Sequence, residues 1–191
     1  MSDFEFFFSF YGLLLGLAVA EVAVKLADAI GSRKRVVMGW LTPLLAVFIL
    51  FDLAGFWMWA WANRNGLTVS WMLVLGGLIV AVTYFLAAAL VFPRRADEWP
   101  TLDEYYWQHK RFVVGGIMAA NVVVTIFTFM RYPPGATFWV WFFQVVYYVP
   151  LIALLFTKRR RVDLGLLAVL LLGYLYAPFA PTSDWGAMTG L

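Results

Sequence analysis

The sequence predicts an all-α, polytopic membrane protein whose six transmembrane helices form a bundle. Hydrophobic residues make up 64% of the 191 residues and charged residues only 13%, whereas soluble domains carry about 25% charged residues. Six apolar stretches are each long enough to cross a bilayer, which takes about 20 residues. Basic residues cluster between alternate stretches. We therefore expect one membrane domain over residues 1–191, embedded in a lipid bilayer.

The predicted spans contain few charges and are separated by residues that end helices. Pro93 follows the third span, and Tyr-Pro-Pro-Gly at 132–135 separates the fourth from the fifth, because proline cannot continue a helix. Asp163 is predicted to be the N-cap of the sixth span, since its side chain can accept a hydrogen bond from the first helical turn. The predicted boundaries are about 6–28, 36–62, 67–92, 112–130, 136–156 and 164–181.

The basic residues predict how the chain is oriented. Eleven of the 14 Lys and Arg residues fall in three alternate connections, near 33–35, 94–111 and 158–161. The opposite connections contain only Arg64 and Arg131. Because Lys and Arg are enriched in cytoplasmic loops, we expect both termini on the non-cytoplasmic side of a bacterial-type inner membrane.

The connection 93–111 is the longest segment between predicted spans, and its second part is predicted to be helical. Thr101 and Glu104 have the spacing of a capping box, in which the threonine hydroxyl accepts a hydrogen bond from a backbone N–H of the first turn. We expect a helix that begins near Thr101 and runs unbroken into the fourth span. Such a helix is longer than the hydrocarbon layer, so its first turns extend beyond the membrane core.

Small residues recur at every fourth position of the first span, at Gly12, Gly16 and Ala20. A stripe of this kind lets a second helix approach closely. It predicts a helix–helix contact either inside the protein or between copies in a homo-oligomer, and the sequence leaves both open.

Three charged residues follow on one face of the same helix, at Glu21, Lys25 and Asp28. Glu21 and Lys25 can form an ion pair, which lowers the cost of burying either charge. Two interpretations remain open. The residues form a structural pair near the inner headgroups, or they line the vestibule of an ion or proton path, because charges within spans are commonly functional.

Asp52 is the only charged residue in the apolar run 44–62 and is predicted to lie near the membrane midplane. A carboxyl group at this depth has to be protonated, paired across helices or hydrated. A role in proton transfer and a role as an acid that locks helices together are both consistent with the sequence.

Other spans carry polar residues at a similar depth. Asn121 is near the middle of the fourth span, and Gln144 and Tyr148 are in the fifth. They could line one hydrated path with Asp52, or they could form separate interhelical hydrogen bonds. The hydroxyl-bearing residues at comparable depth are Thr83, Tyr84, Tyr147 and Tyr174.

The residue types exclude several chemistries. The sequence has no cysteine, which excludes disulfides, thiolate nucleophiles and iron–sulfur clusters. The single histidine, His109, cannot form a bis-histidine haem site within one chain. No phosphate-binding or dinucleotide-binding glycine motif occurs, and topology accounts for the basic residues. We therefore predict no cofactor, no metal site and no nucleic-acid partner.

Three functions are consistent with the sequence. The leading hypothesis is an ion channel or proton-coupled transporter that acts as a homo-oligomer, with Asp52 and Glu21 as functional acids. The second is a non-enzymatic accessory or assembly subunit that binds other membrane subunits. The third is a membrane-embedded lipid enzyme, although the sequence favours a protein without enzymatic activity. The candidate polar residues of such an enzyme are Asp103, Glu104 and His109.

Overall fold

The computed structural model describes residues 3–31, 37–64, 68–131, 133–135 and 138–176. Within these ranges the chain is helical, with an isolated β-bridge between Val37 and Thr101 and no strand, which confirms the all-α prediction. A short 3-10 turn, Ala96–Glu98, lies between the third and fourth helices. The six described α-helices are α1 (Asp3–Gly31), α2 (Leu41–Ala62), α3 (Trp71–Ala89), α4 (Leu102–Arg131), α5 (Phe138–Phe156) and α6 (Arg160–Tyr176).

Helices α1 to α5 are long and apolar enough to span a membrane. Helix α6 has 17 described residues, or about 25 Å at 1.5 Å per residue. The predicted continuation of this span over 177–181 lies outside the described residues. Helix α2 begins at Leu41 rather than near 36, and α1 extends beyond both predicted ends. The chain has the helices of a multi-pass membrane protein.

The helices pack as a bundle in which each contacts its neighbours. Around the bundle the order is α1, α3, α4, α5, α6 and α2, and α2 also contacts α4 across it. Half of the residues in the most apolar stretch of α2 are buried inside the bundle, a larger share than in the corresponding stretches of α1, α3, α4 or α5. Because α2 is so enclosed, any polar side chain on it has to find its partners on other helices.

One end of the bundle, here called the basic end, holds the N-termini of α2, α4 and α6 and the C-termini of α1, α3 and α5. Side chains join these termini directly. The Lys25 Nζ donates to the Ala89 carbonyl oxygen at 3.0 Å. The backbone N–H of Leu41 donates to Asp103 Oδ1 at 3.1 Å. Asp103 therefore satisfies an N–H that the first turn of α2 leaves without a helical partner.

The start of α4 agrees with the sequence. The Thr101 hydroxyl accepts a hydrogen bond from the backbone N–H of Glu104 at 3.1 Å, which confirms Thr101 as the N-cap. From Leu102 the helix continues without a break for 30 residues to Arg131, which confirms the predicted helical extension into the fourth span.

Helix α1 packs through one apolar face, formed by Phe7, Tyr11, Leu15, Ala18 and Val22. These residues are spaced by three and four, which places them along one side of the helix.

The small-residue stripe of α1 contributes to packing at only one of its positions in the described chain. A Cβ atom at Gly12 would lie 3.2 Å from Trp57 Nε1, so α2 approaches closely there. A Cβ at Gly16 would have no neighbour within 4 Å, and Ala20 is exposed. The prediction that the stripe joins copies in a homo-oligomer stays a prediction.

Candidate functional site

Asp52 lies in the middle of α2 and is only 1% exposed. Its carboxylate accepts four hydrogen bonds. Oδ1 accepts from the hydroxyls of Tyr147, at 2.8 Å, and Tyr174. Oδ2 accepts from the Asn121 amide, at 2.9 Å, and the Tyr84 hydroxyl. These five residues are called the Asp52 network below.

The network joins five helices, because its members come from α2, α3, α4, α5 and α6 in turn. Apolar rings of α2 cover it on two sides. The Phe56 ring packs edge-on against Tyr84 with centroids 5.2 Å apart. The Phe48 ring lies 6.4 Å from Tyr147 and 6.1 Å from Tyr174. The sequence folds this way locally because Phe48, Asp52 and Phe56 are spaced by four and share a helical face.

The electrostatics of the Asp52 network are unusual for a membrane interior. No Lys, Arg or His side chain pairs with Asp52 among the residues that the structure describes. An ionised carboxylate accepts but cannot donate, so the four donors match the ionised form. A protonated carboxyl group has to donate its own hydrogen. One of the tyrosine hydroxyls would then have to turn and accept, which reverses one of the four hydrogen bonds and removes the charge that strengthens the other three.

A second buried acid, Asp163, lies near the basic end. It forms an ion pair with Lys110, at 2.7 Å between Nζ and Oδ2, and the two side chains are 0% and 3% exposed. Tyr106 donates to the same oxygen at 2.9 Å, and the Thr157 hydroxyl donates to Oδ1. These four residues are called the Lys110–Asp163 cluster.

The prediction that Asp163 is the N-cap of the sixth helix is wrong. Helix α6 begins at Arg160, so Asp163 lies inside its first turn. Its side chain is directed to Lys110, Tyr106 and Thr157 instead of to its own backbone. A buried ammonium group binds a carboxylate more strongly than a backbone N–H does, because both partners are charged.

An apolar layer separates the two polar sites. Lys110 and Asn121 are eleven residues apart on α4, as are Asp163 and Tyr174 on α6. Eleven residues make about three turns, or about 16 Å, so each pair lies on one helical face. The buried residues between them on α4 and α6 are Val113, Val114, Ile117, Ala120, Leu167 and Leu170.

A polar stripe continues from the Asp52 network in the other direction. Thr125 and Thr128 follow Asn121 on α4 at spacings of four and three, so all three share a face. The Thr125 hydroxyl shares a hydrogen bond of 2.7 Å with Tyr148, and Trp59 Nε1 donates to Thr128 at 2.8 Å. This α4 stripe extends toward the end of the bundle opposite the basic end.

The predicted site residues divide between these places. Asp52 and Asn121 are hydrogen-bonded to each other, whereas Tyr148 contacts the α4 stripe and not Asp52. Gln144 is partly buried one turn from Tyr148 and is not among the described hydrogen-bond partners of Asp52.

The charged residues of α1 are not part of the Asp52 network. Glu21 and Lys25 form the predicted ion pair at 2.8 Å and are partly exposed. Lys25 also donates to the Ala89 carbonyl, which ties the pair to the end of α3. Asp28 is exposed. The arrangement matches the structural interpretation of these residues more closely than a path that leads to Asp52.

Sequence reasoning did not identify the full composition of either site. Tyr84, Tyr147 and Tyr174 were recognisable only as hydroxyls at a suitable depth. The ion pair between Lys110 and Asp163 could not be recognised in the sequence. Both residues lie in or next to the charged connections between spans, where membrane topology alone accounts for charged residues.

The residues proposed for a lipid enzyme do not converge. Asp103 binds the start of α2 and Arg160, the latter at 3.1 Å. The His109 ring stacks on Tyr105 with centroids 4.0 Å apart, while Glu104 is exposed. Within the described ranges, no group of three or more His, Cys, Asp or Glu residues could hold a metal ion.

Comparison with known proteins finds no relative, since no protein-family model, curated protein or solved structure matches this chain. The site therefore has to be interpreted from its own chemistry.

Proposed function

We propose that this membrane protein is a proton-coupled transporter or proton channel in which Asp52 binds and releases the proton. The observation that carries the proposal is the Asp52 carboxylate, buried in the middle of a span without a cationic partner and hydrogen-bonded to four other helices. A purely structural contact does not require a charge here, because apolar packing does the same at a lower desolvation cost.

The chemistry of the network supports proton binding. Tyrosine hydroxyls both donate and accept, so they can reverse direction when Asp52 gains or loses a proton. Protonation removes the charge, which weakens the four hydrogen bonds, each to a different helix, and it reverses the direction of one of them. A change of protonation at Asp52 is thereby coupled to the packing of α3, α4, α5 and α6.

The distribution of polar groups supports a route from one side. The α4 stripe, with Tyr148 beside it, provides hydroxyls between Asp52 and the end opposite the basic end. The apolar layer closes the other direction. We infer that the described conformation is closed toward the basic end, and that transport requires the apolar layer to open.

The test is proton movement in liposomes that contain the purified protein and an entrapped pH-sensitive dye. We expect the wild type to move protons under an applied pH gradient and Asp52→Asn to fall to the level of empty liposomes. The exposed acid Asp97 provides the matched control, and Asp97→Asn should behave as wild type. Normal flux in folded Asp52→Asn would disprove the role of Asp52, and no flux in the wild type would disprove the function.

A second candidate, the accessory membrane subunit, is favoured by one observation. Each Asp52 oxygen already accepts two hydrogen bonds, so the network serves equally as a lock that holds five helices together. In this case the wild type shows no flux, Asp52→Asn loses stability, and the protein purifies with other membrane subunits at a fixed ratio.

A further inference from the structure

A cleft of about 540 Å³ opens at the basic end, between the start of α4 and the turn that joins α5 to α6. This volume lies within the usual range of small-molecule sites, about 300–1,000 Å³. Three of its lining residues are cationic and none is acidic. The lining residues are Trp107, Gln108, Lys110, Arg111, Thr157 and Lys158.

The cleft has more positive charge than its surroundings neutralise. The charge of Lys110 is matched by buried Asp163. Arg111 donates through Nε to the Leu155 carbonyl at 3.0 Å, which fixes the guanidinium group. In the part of the chain that the structure describes, no hydrogen bond engages the two terminal nitrogens of Arg111. Lys158 is exposed and has no ion pair with any described residue.

The position of the cleft corresponds to the level of lipid headgroups. It lies beside the C-terminus of α5, where that candidate span ends at Phe156. Phe156 and Phe112, the neighbours of Thr157 and Arg111, are 73% and 71% exposed. Large apolar side chains exposed at the end of a span contact acyl chains, while adjacent cations reach the headgroups.

We propose that this cleft binds the phosphate group of an anionic phospholipid. The terminal nitrogens of Arg111 match two phosphate oxygens, and Lys158 supplies a second positive charge. Gln108 lines the same cleft, and its side-chain amide can donate to a remaining oxygen. The bound lipid joins α4 to the α5–α6 turn. This proposal does not depend on transport by Asp52.

The test measures lipid retention by native mass spectrometry and thermal unfolding of the purified protein in detergent. Phosphatidylglycerol, phosphatidylcholine with the same acyl chains, and inorganic phosphate are added in separate samples. We expect phosphatidylglycerol alone to be retained and to raise the melting temperature. The double variant Arg111→Gln/Lys158→Gln should weaken phosphatidylglycerol binding by about tenfold or more, because two basic groups at the membrane surface are lost.

The matched control, Arg94→Gln/Arg159→Gln, removes the same charge from two exposed residues at the same end. It should retain phosphatidylglycerol as wild type does. An equal loss in the control would show general surface attraction and overturn the proposal. Equal binding of phosphatidylcholine, or equal stabilisation by inorganic phosphate, would also overturn it. If the double variant does not fold, Lys158→Gln alone should show a smaller loss, and unchanged affinity there would contradict the site.

Discussion

Each single donor to Asp52 contributes to the stability of its buried carboxylate, because each of the two oxygens accepts two hydrogen bonds. Tyr84→Phe removes one hydroxyl and leaves the ring in place. We expect it to lower the free energy of unfolding by about 1.5–3 kcal/mol, the usual range for a hydrogen bond to a charged group.

Tyr148→Phe is the matched control for this change, since Tyr148 binds a neutral threonine hydroxyl. It should cost about 0.5–1.5 kcal/mol. The loss of stability in the two variants is measured by thermal or chemical unfolding in detergent. Equal costs would indicate that Asp52 is not ionised when the network is formed.

The Lys110–Asp163 pair gives a second prediction at this scale. Lys110→Met leaves the buried Asp163 carboxylate without its cation, and such a change costs about 3–5 kcal/mol. In Lys110→Met/Asp163→Leu no charge remains buried in the Lys110–Asp163 cluster, so most of the stability should return. The free energies of unfolding of the two variants are measured under the same conditions and compared. A double variant less stable than the single one would contradict this account.

Single residues were only partly predictable from the sequence. Asp52 is recognisable because it is a lone charge in an apolar run, and Asn121 because it is an amide at the same depth. Tyr147 and Tyr148 are adjacent and chemically identical, yet only Tyr147 reaches Asp52. The rotation of α5 in the bundle decides between them, and that rotation results from packing against other helices.

At the scale of elements, the connection between α1 and α2 meets α4 through Gly39. This glycine has a φ of 66°, and a Cβ atom there would overlap the Asp103 carboxylate. Gly39→Ala should cost at least about 1–2 kcal/mol from the left-handed backbone alone, with a further loss because Asp103 would be displaced from Leu41.

Gly31→Ala serves as the control, because a Cβ at Gly31 meets no atom within 4 Å. Unfolding measurements should show little change in this variant. Comparable stability of the two alanine variants would mean that the Gly39 conformation is not required.

The apolar helices and the N-cap of α4 could be predicted from the sequence, because hydropathy and local capping chemistry determine them. The start of α6 could not be predicted. Asp163 has the right residue type for a local N-cap, but its partner Lys110 lies 53 positions away in the sequence and belongs to another helix. A contact of that range is not visible in a local pattern.

At the scale of the whole molecule, the sequence predicts a multi-pass protein but not which helices are neighbours. The small-residue stripe suggested a close contact of α1, yet α1 packs mainly through its Phe7–Val22 face. The basic residues give the expected orientation of the spans, which stays a prediction.

The orientation can be tested with introduced cysteines, because the chain has none of its own. Arg94→Cys and Arg159→Cys should react with a membrane-impermeant thiol reagent from the cytoplasmic side. Gly135→Cys should react from the other side, since it lies at the opposite end of α4 and α5. All three residues are exposed. Labelling of Gly135→Cys from the cytoplasmic side would contradict the predicted topology.

The central position of Asp52 also determines when the fold can be completed during synthesis. Asp52 is on α2, which leaves the ribosome before α3, α4, α5 and α6, the helices that carry its four donors. An acidic residue at the centre of an inserting helix costs about 2.5–3.5 kcal/mol. This cost is therefore offset in steps as the donor helices are inserted, and the last hydrogen bond forms only after Tyr174 has been translated. Truncation before α6 should leave α2 less stably integrated and open to quality-control proteases.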